Sequence, residues 1–259
     1  MSGVTTRVVV RDIELELLRR GTGRPLVLLH GFGTIDPSAL FLDHLTPHVE
    51  IIAPSHPGFG SSPRPDGFET IYDLTRLYLE LLETLPHERV TLVGFSFGGW
   101  IAAELAALCP HSIDRLILVD ALGIKTTDRE TPDILDVFNT HPAEVLRRRY
   151  HDPAHFAPDH DTMTDAQLAI VARNWDSLAL YGWQPYMYNP RLAYWLRRIR
   201  IPTLVLWGES DGIITPAYGR AYANLIPGAR FTPIPQAGHH PEIEQPDAFA
   251  RALRDFLDT

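Results

Sequence analysis

The sequence predicts an α/β fold: a mostly parallel sheet of roughly eight strands, helices on both faces, and an inserted helical lobe. Three observations predict it. Short runs that are apolar throughout, among them RPLVLLHG, RVTLVGFS and IPTLVLWGESD, have the pattern of strands buried on both faces of a parallel sheet. Segments of helical periodicity alternate with them, which implies right-handed crossovers. From roughly Leu122 to Arg200 that alternation lapses into helix-like sequence without a convincing strand.

Taken in order, TTRVVVRD and IELELLRRG carry β-forming residues, and Arg11-Asp12 between them turns a hairpin at the sheet edge. RPLVLLHG and HVEIIAPSHPG are the next two strands. From Thr70 to Leu85, the residues Ile71, Leu74, Leu77, Tyr78, Leu81, Leu82 and Leu85 share one helical face. RVTLVGFS is a strand, Gly98 to Leu108 a helix, and DRLILVDAL a strand. After the insertion come IPTLVLWGESD, a helix near Ala217 to Leu225, the strand ARFTPIPQAG, and a closing helix from Pro246. The organisation is therefore a main body, residues 1–121 and 201–259, interrupted by a helical lobe at 122–200. Trp175, Trp183 and Trp195 fall in that lobe, with Tyr181, Tyr186, Tyr188 and Tyr194 nearby. Most of these aromatics pack the lobe onto the body, while Phe138, Trp175, Trp183 and Tyr186 are expected to face a ligand pocket.

At 259 residues and 45% hydrophobic, the chain buries a large core as one domain with an insertion. A net charge of −9 with both signs interspersed excludes the basic face that nucleic acid or an anionic membrane requires, leaving a small-molecule partner. One cysteine, Cys109, allows no internal disulfide and reads as a buried, inert thiol in a reducing compartment. The start, MSGVTTRVVVRD, has no apolar stretch of signal-peptide length, and no run approaches a membrane span, so a cytoplasmic protein is expected, monomeric or homodimeric.

The joint GFSFGG, Gly94 to Gly99, sets three glycines and a serine where a strand passes into a helix. A G-x-S-x-G pattern alone is weak, but in this context a serine can be held on a strained turn with its hydroxyl projecting from the sheet. A phosphate-binding loop is the competing reading, and it lacks the lysine and the spacing. A serine hydroxyl needs a base to activate it and an acid to orient the base. PQAGHHPEIEQP supplies His239 and His240 after the last strand, and LWGESDGIITP supplies Asp211, so all stand at the edge where Ser96 stands. Asp120, ending DRLILVD, competes with Asp211 for the acid position, while Glu209 projects to the other side and is structural. His151, His155 and His160 have no metal-site spacing, and neither metal nor cofactor is expected.

With HGFG at His30 to Gly33, HPGFGSS at His56 to Ser62, the turn at Ser96, WGESDGIITP from Trp207 and GHHPEIEQP from Gly238, the chain resembles the α/β-hydrolase fold family. The resemblance is to the branch with a helical cap after the sixth strand. It implies Ser96 as nucleophile, Asp211 as acid, and His239 as base because it directly follows Gly238. His240 falls where the family varies, at the pocket rim or on the surface. The backbone amides of Phe97 and Phe32 form the implied oxyanion hole, with His30 as a buried support for the Phe32 loop.

The expected reaction is acyl transfer through Ser96, with a small apolar or aromatic carboxylic ester, lactone or thioester as substrate. Carbon–carbon hydrolysis of ring-cleavage diketones is the alternative. Relatives that perform it typically carry a tryptophan soon after the catalytic histidine and a more elaborate oxyanion loop, features absent from GHHPEIEQP and HGFGTID. Perhydrolysis and a non-catalytic ligand receptor on the same fold are further alternatives.

Overall fold

The computed structural model describes residues 4–109, 111–128 and 130–259; residues 1–3, where the segment read for a leader begins, lie outside it. Eight strands form one sheet: β1 (Val4–Val10), β2 (Ile13–Gly21), β3 (Arg24–Leu29), β4 (Val49–Pro54), β5 (Val90–Phe95), β6 (Ile113–Val119), β7 (Thr203–Gly208) and β8 (Arg230–Ile234). Their spatial order is β1-β2-β4-β3-β5-β6-β7-β8, antiparallel where β2 pairs β1 and β4 and parallel elsewhere. The helices are α1 (Leu40–Leu45), α2 (Ile71–Thr84), α3 (Ser96–Leu108), α4 (Pro142–Arg149), α5 (Pro153–Phe156), α6 (Asp165–Gly182), α7 (Leu192–Trp195), α8 (Pro216–Leu225), α9 (Pro241–Glu244) and α10 (Pro246–Leu257).

The central strands are apolar throughout because successive side chains enter different cores. Val27 and Leu29 of β3, Leu92 of β5, Leu116 and Leu118 of β6, and Val205 and Trp207 of β7 face one core, shared with α2, α3 and α8. Leu26, Leu28, Val93, Ile117, Val119, Leu204 and Leu206 face the other, closed by Phe41, Leu42 and Leu45 of α1 and Phe249, Leu253 and Phe256 of α10. Helix α2 starts at a capping box, in which Thr70 Oγ1 accepts from the Asp73 amide and the Asp73 carboxylate accepts from the Thr70 amide.

Strand order reverses between β3 and β5: from β3 the chain moves outward to β4, then returns to place β5 on the other side of β3. The loops leaving β3 and β5 therefore meet at the carboxyl edge of the sheet, where such a reversal opens a crevice. Between β6 and β7 lie α4 to α7 and, among the described residues, no named strand, only the isolated bridges Gly123–Tyr188 and Ile134–Ile214. Helix α6 is fastened to the loop after β4: Ser177 Oγ donates to the Gly58 carbonyl (2.8 Å), Arg173 to those of Gly60 and Ser62 (3.0 and 2.5 Å), and Asn174 Oδ1 accepts from the Gly60 amide (3.0 Å).

The turn at Ser96 is tighter than the sequence reading, which began its helix at Gly98. β5 ends at Phe95 and α3 begins at Ser96 with no linker. A Cβ on Gly98 would collide with the carbonyl oxygens of Leu29 and His30, and one on Gly94 with the carbonyl of Gly98. These obstacles are backbone atoms that cannot rotate away. Gly98→Ala is accordingly expected to cost at least about 1–3 kcal/mol, the usual range for overpacking, and to lower Tm by roughly 2–10 °C; thermal denaturation followed by circular dichroism measures it.

Candidate active site

Three loops from different strands bring Ser96, His239 and Asp211 together. His239 Nε2 is 2.8 Å from Ser96 Oγ, and His239 Nδ1 is 2.8 Å from Asp211 Oδ2. Asp211 follows β7, and its Oδ1 accepts from the amides of Ile213 and Ile214 at 2.8 and 3.0 Å. With its carboxylate held that way, Nδ1 of His239 carries the proton and Nε2 is left to accept from the serine hydroxyl. The His239 amide donates to the Arg149 carbonyl at 2.6 Å, which ties the loop after β8 to the end of α4. Ser96 has φ +48°, in the left-handed region that costs a non-glycine residue about 1–3 kcal/mol.

Asp120, the competing acid, is fully buried and lies against Asp211 without a hydrogen bond to His239: its Oδ1 accepts from the Gly208 amide at 3.0 Å. Burial, then the neighbouring Asp211, pushes its carboxyl well above the usual carboxylate range, so it keeps its proton. Asp120, Asp211 and His239 bring three ligand-type atoms within 4.8 Å, but both imidazole nitrogens of His239 are already engaged. His151 instead bonds Ser210, at 2.8 Å. Glu209 is exposed, and Cys109 is half-buried rather than buried, its sulfur 3.7 Å from Ser112 Oγ.

The loop after β3 passes directly over the serine, since a Cβ on Gly31 would lie 3.1 Å from Ser96 Cβ. His30 fixes its orientation. Its Nε2 accepts from the His56 amide at 2.8 Å, so its proton is on Nδ1, which donates to the Gly31 carbonyl at 2.8 Å. His56 in turn donates from Nε2 to the His30 carbonyl at 2.8 Å and accepts from the Tyr78 hydroxyl at Nδ1. Because the Gly31 carbonyl and the Phe32 amide belong to one planar trans peptide, gripping the oxygen fixes the direction of the N–H. At Phe97 the N–H is one of the first in α3 and has no intrahelical acceptor.

Ser96 borders two spaces. An inner chamber of about 40 Å³ is lined by Phe32, Phe97, Leu122, Arg149, Tyr186, His239 and His240, among others. A groove of about 370 Å³ runs outward between Gly31–Phe41 and His240–Ile243. Tyr186 and His240 thus border the chamber that holds Ser96. His240 bonds Glu242 at 3.0 Å and stacks on Tyr150. Phe138 and Trp175 line an adjacent cavity of about 340 Å³ instead, behind Phe32, whose ring is 4.5 Å from that of Trp175. Trp183 is a correction: it is 58% exposed and lines a different groove with Tyr72 and Trp100. Tyr181 is buried, and two residues along a helix amount to about 200° of rotation, which turns Trp183 outward. Arg149 is the chamber residue that the sequence reading misses, because RRR at a helix end reads as a solvated charge run.

Burial lowers the pKa of His30 to about 4 and that of His56 well below its ordinary value. At these two histidines protons bind the unfolded chain more readily than the folded one between pH 6.5 and about 4, so their contribution to stability rises with pH across that window. His30 alone accounts for about 3 kcal/mol that is present above pH 6.5 and lost as the pH falls toward 4. The His30 imidazole should still be neutral by NMR at pH 5, and a protonated ring at that pH would contradict the neutral pair.

The sequence profile of the alpha/beta hydrolase family matches residues 26–252. A 2-hydroxy-6-oxo-2,4-heptadienoate hydrolase of Pseudomonas putida strain F1 is 30% identical, over 96% of this chain and 95% of that protein. A 2-hydroxymuconate semialdehyde hydrolase of Pseudomonas sp. strain CF600 is also 30% identical, over 96% and 92%. The solved structure of a thermophilic esterase from Thermogutta terrifontis superposes with a TM-score of 0.77 at 26% identity, covering 100% of this chain and 98% of that one. The sheet order, the turn at Ser96 and the near-complete coverage agree: this chain belongs to the alpha/beta hydrolase family and is a hydrolase.

Proposed function

We propose that the chain is a serine hydrolase that forms an acyl-enzyme on Ser96, and that the bond it breaks is the carbon–carbon bond of a ring-cleavage diketone. The observation that carries the acyl-enzyme reading is the unbroken series Ser96 Oγ, His239, Asp211, with both contacts at 2.8 Å. His239 takes the serine proton as Oγ attacks a ketone carbon, and the Phe32 and Phe97 amides receive the developing oxyanion. The carbon–carbon bond then breaks, the carbon fragment leaves protonated by His239, and water releases the acyl group by the same steps. Support for the bond type comes from relatives at 30% identity over nearly their whole length, by name hydrolases of 2-hydroxy-6-oxo-2,4-heptadienoate and of 2-hydroxymuconate semialdehyde.

Ester hydrolysis is the second reading, and specific observations favour it: no tryptophan follows His239, and the HGFG loop is short. Both reactions share the acyl-enzyme and differ in the leaving group. The absence of a basic face and the single cysteine support a small-molecule substrate and a cytoplasmic setting. Among the described residues, no helix is long and apolar enough to cross a membrane.

Ser96→Ala should lower kcat by about 10³-fold or more on any substrate, and Asp211→Asn by a similar factor. Asp120→Asn should stay within about tenfold of the unaltered chain, because its carboxyl does not touch His239. Comparing kcat/KM for a ring-cleavage diketone with that for a matched aryl ester decides the bond. A ratio of about 10² or more for the diketone sustains the carbon–carbon reading, and the reverse ratio assigns an esterase.

A further inference from the structure

A further groove, of about 590 Å³, lies between α2, α3 and the end of α6. It shares no lining residue with the Ser96 chamber, the outward groove or the cavity behind Phe32. Trp100 marks the boundary, since it lines this groove and packs edge-on, at 6.4 Å, against Phe97, which lines the chamber. The walls are aromatic: Tyr72, Trp100, Trp183 and Tyr188. Tyr72, Trp183 and Leu108 are each 58% exposed, so three large apolar side chains open to water are gathered into one concavity.

The charge in this groove is of one sign. Glu69 and Glu104 line it, and among the described residues no lysine, arginine or histidine does. Glu104 is half-buried, and its two donors, the Trp100 indole N–H (3.2 Å) and the Asn189 side-chain amide (2.7 Å), are neutral and share Oε1. Among the described residues, Oε2 has no hydrogen-bond partner and the carboxylate has no ion pair. Burial raises the Glu104 pKa, so its charge is poorly solvated where it stands. Arg76 stacks on Tyr72, 4.1 Å from the ring centre, but neither lines the groove nor pairs with Glu104.

An unpaired carboxylate among aromatic faces attracts a cation twice, through its own charge and through the ring quadrupoles. A bare metal ion does not match. It needs several ligand atoms, and the cluster of three metal-ligating groups found among the described residues is elsewhere, at Asp120, Asp211 and His239. An ammonium carried on an apolar body does match: an N–H for Oε2, a positive charge for the carboxylate, and hydrocarbon for the rings. The volume also falls within the range of small-ligand pockets.

We propose that this groove is a second ligand site, separate from Ser96, that binds an organic cation through Glu104 and the rings of Tyr72, Trp100 and Trp183. Its occupant is an ammonium on an aromatic or alkyl body. The site goes beyond the hydrolysis at Ser96 and does not depend on which bond is broken there.

Calorimetric titration of the full-length chain at pH 8 with 2-phenylethylammonium and with 2-phenylethanol compares two probes of nearly equal size, one charged. The cation should bind at least about tenfold more tightly than the alcohol. It should also shift the NMR signal of the Trp100 indole N–H, which is bonded to Glu104. Glu104→Gln keeps an oxygen for Trp100 and Asn189 but removes the charge, and it should abolish the preference while turnover at Ser96 is unchanged. Trp183→Ala, at an exposed position, should weaken the cation by about threefold or more. An alcohol that binds as tightly as the cation, or a cation that fails to bind at about 10 mM, overturns the proposal. So does a preference that survives Glu104→Gln, or a Trp100 signal that stays in place. If Glu104→Gln does not fold, the probe ratio, the Trp100 signal and Trp183→Ala decide.

Discussion

The site depends on one close approach, that of the first turn of α3 to the ends of β3 and β5. Ser96 is held at φ +48°, a conformation that a free chain would abandon at once. It persists because each side of the turn is blocked. The Ser96 carbonyl accepts from the Leu122 amide at 3.0 Å, a Cβ on Gly99 would be 2.5 Å from that of Ala121, and Gly98 lies on the carbonyls of β3. Three glycines in six residues are what that proximity demands of the sequence. Because β3 and β5 flank the reversal of strand order, the same approach lays the Gly31–Phe32 peptide over the serine.

Charge in the site is economical. Three of the buried titratable groups near the Ser96–His239 contact are held in their neutral forms: His30, His56 and Asp120. Two adjacent carboxylates would repel in a dry interior, so one keeps its proton, and hydrogen bonding distinguishes them. Asp211 receives two amide donors and the imidazole N–H, whereas Asp120 receives one amide. The acid beside His239 is therefore the one whose negative charge is best solvated by the fold. His30 and His56 achieve rigidity without charge, so they add no cation to the field near the developing oxyanion.

Much of this was legible in the sequence where a local rule and a tertiary constraint coincide. Apolar runs such as VTLVGF become central strands because both faces are buried, and Thr70 and Pro246 mark helix starts. Ser96, His239 and Asp211 could be grouped because parallel strands release their loops at one edge. Periodicity failed in the inserted lobe. Trp175 and Trp183 look alike in sequence, yet one packs against Phe32 and the other, just past the end of α6, lines a separate groove, a difference set by how α6 is fastened to the loop at Gly58–Ser62. Arg149 was illegible for a related reason: its neighbours Arg147 and Arg148 bind Glu144 on the surface, and nothing local separates the third arginine from them.

The inner chamber, at about 40 Å³, has room for little more than a water, whereas pockets for small ligands span about 300–1,000 Å³. Space for a substrate therefore has to come from joining the chamber to the 340 Å³ cavity or the 370 Å³ groove. The surrounding backbone resists that. Helix α6 is tied to the loop after β4, the end of α4 to His239 and Gly212, and the amides of His151 and Asp152 to Glu244 at 2.8 and 3.0 Å. With both ends of the lobe held, the parts left to shift are side chains of the dividing wall. Phe32 is one of them, and its amide belongs to the Gly31–Phe32 peptide that passes over Ser96. The residue whose ring would open the cavity is thus also one whose amide is proposed as an oxyanion donor. Because the His30 grip is on the Gly31 carbonyl, the Phe32 ring can turn while its amide stays in place.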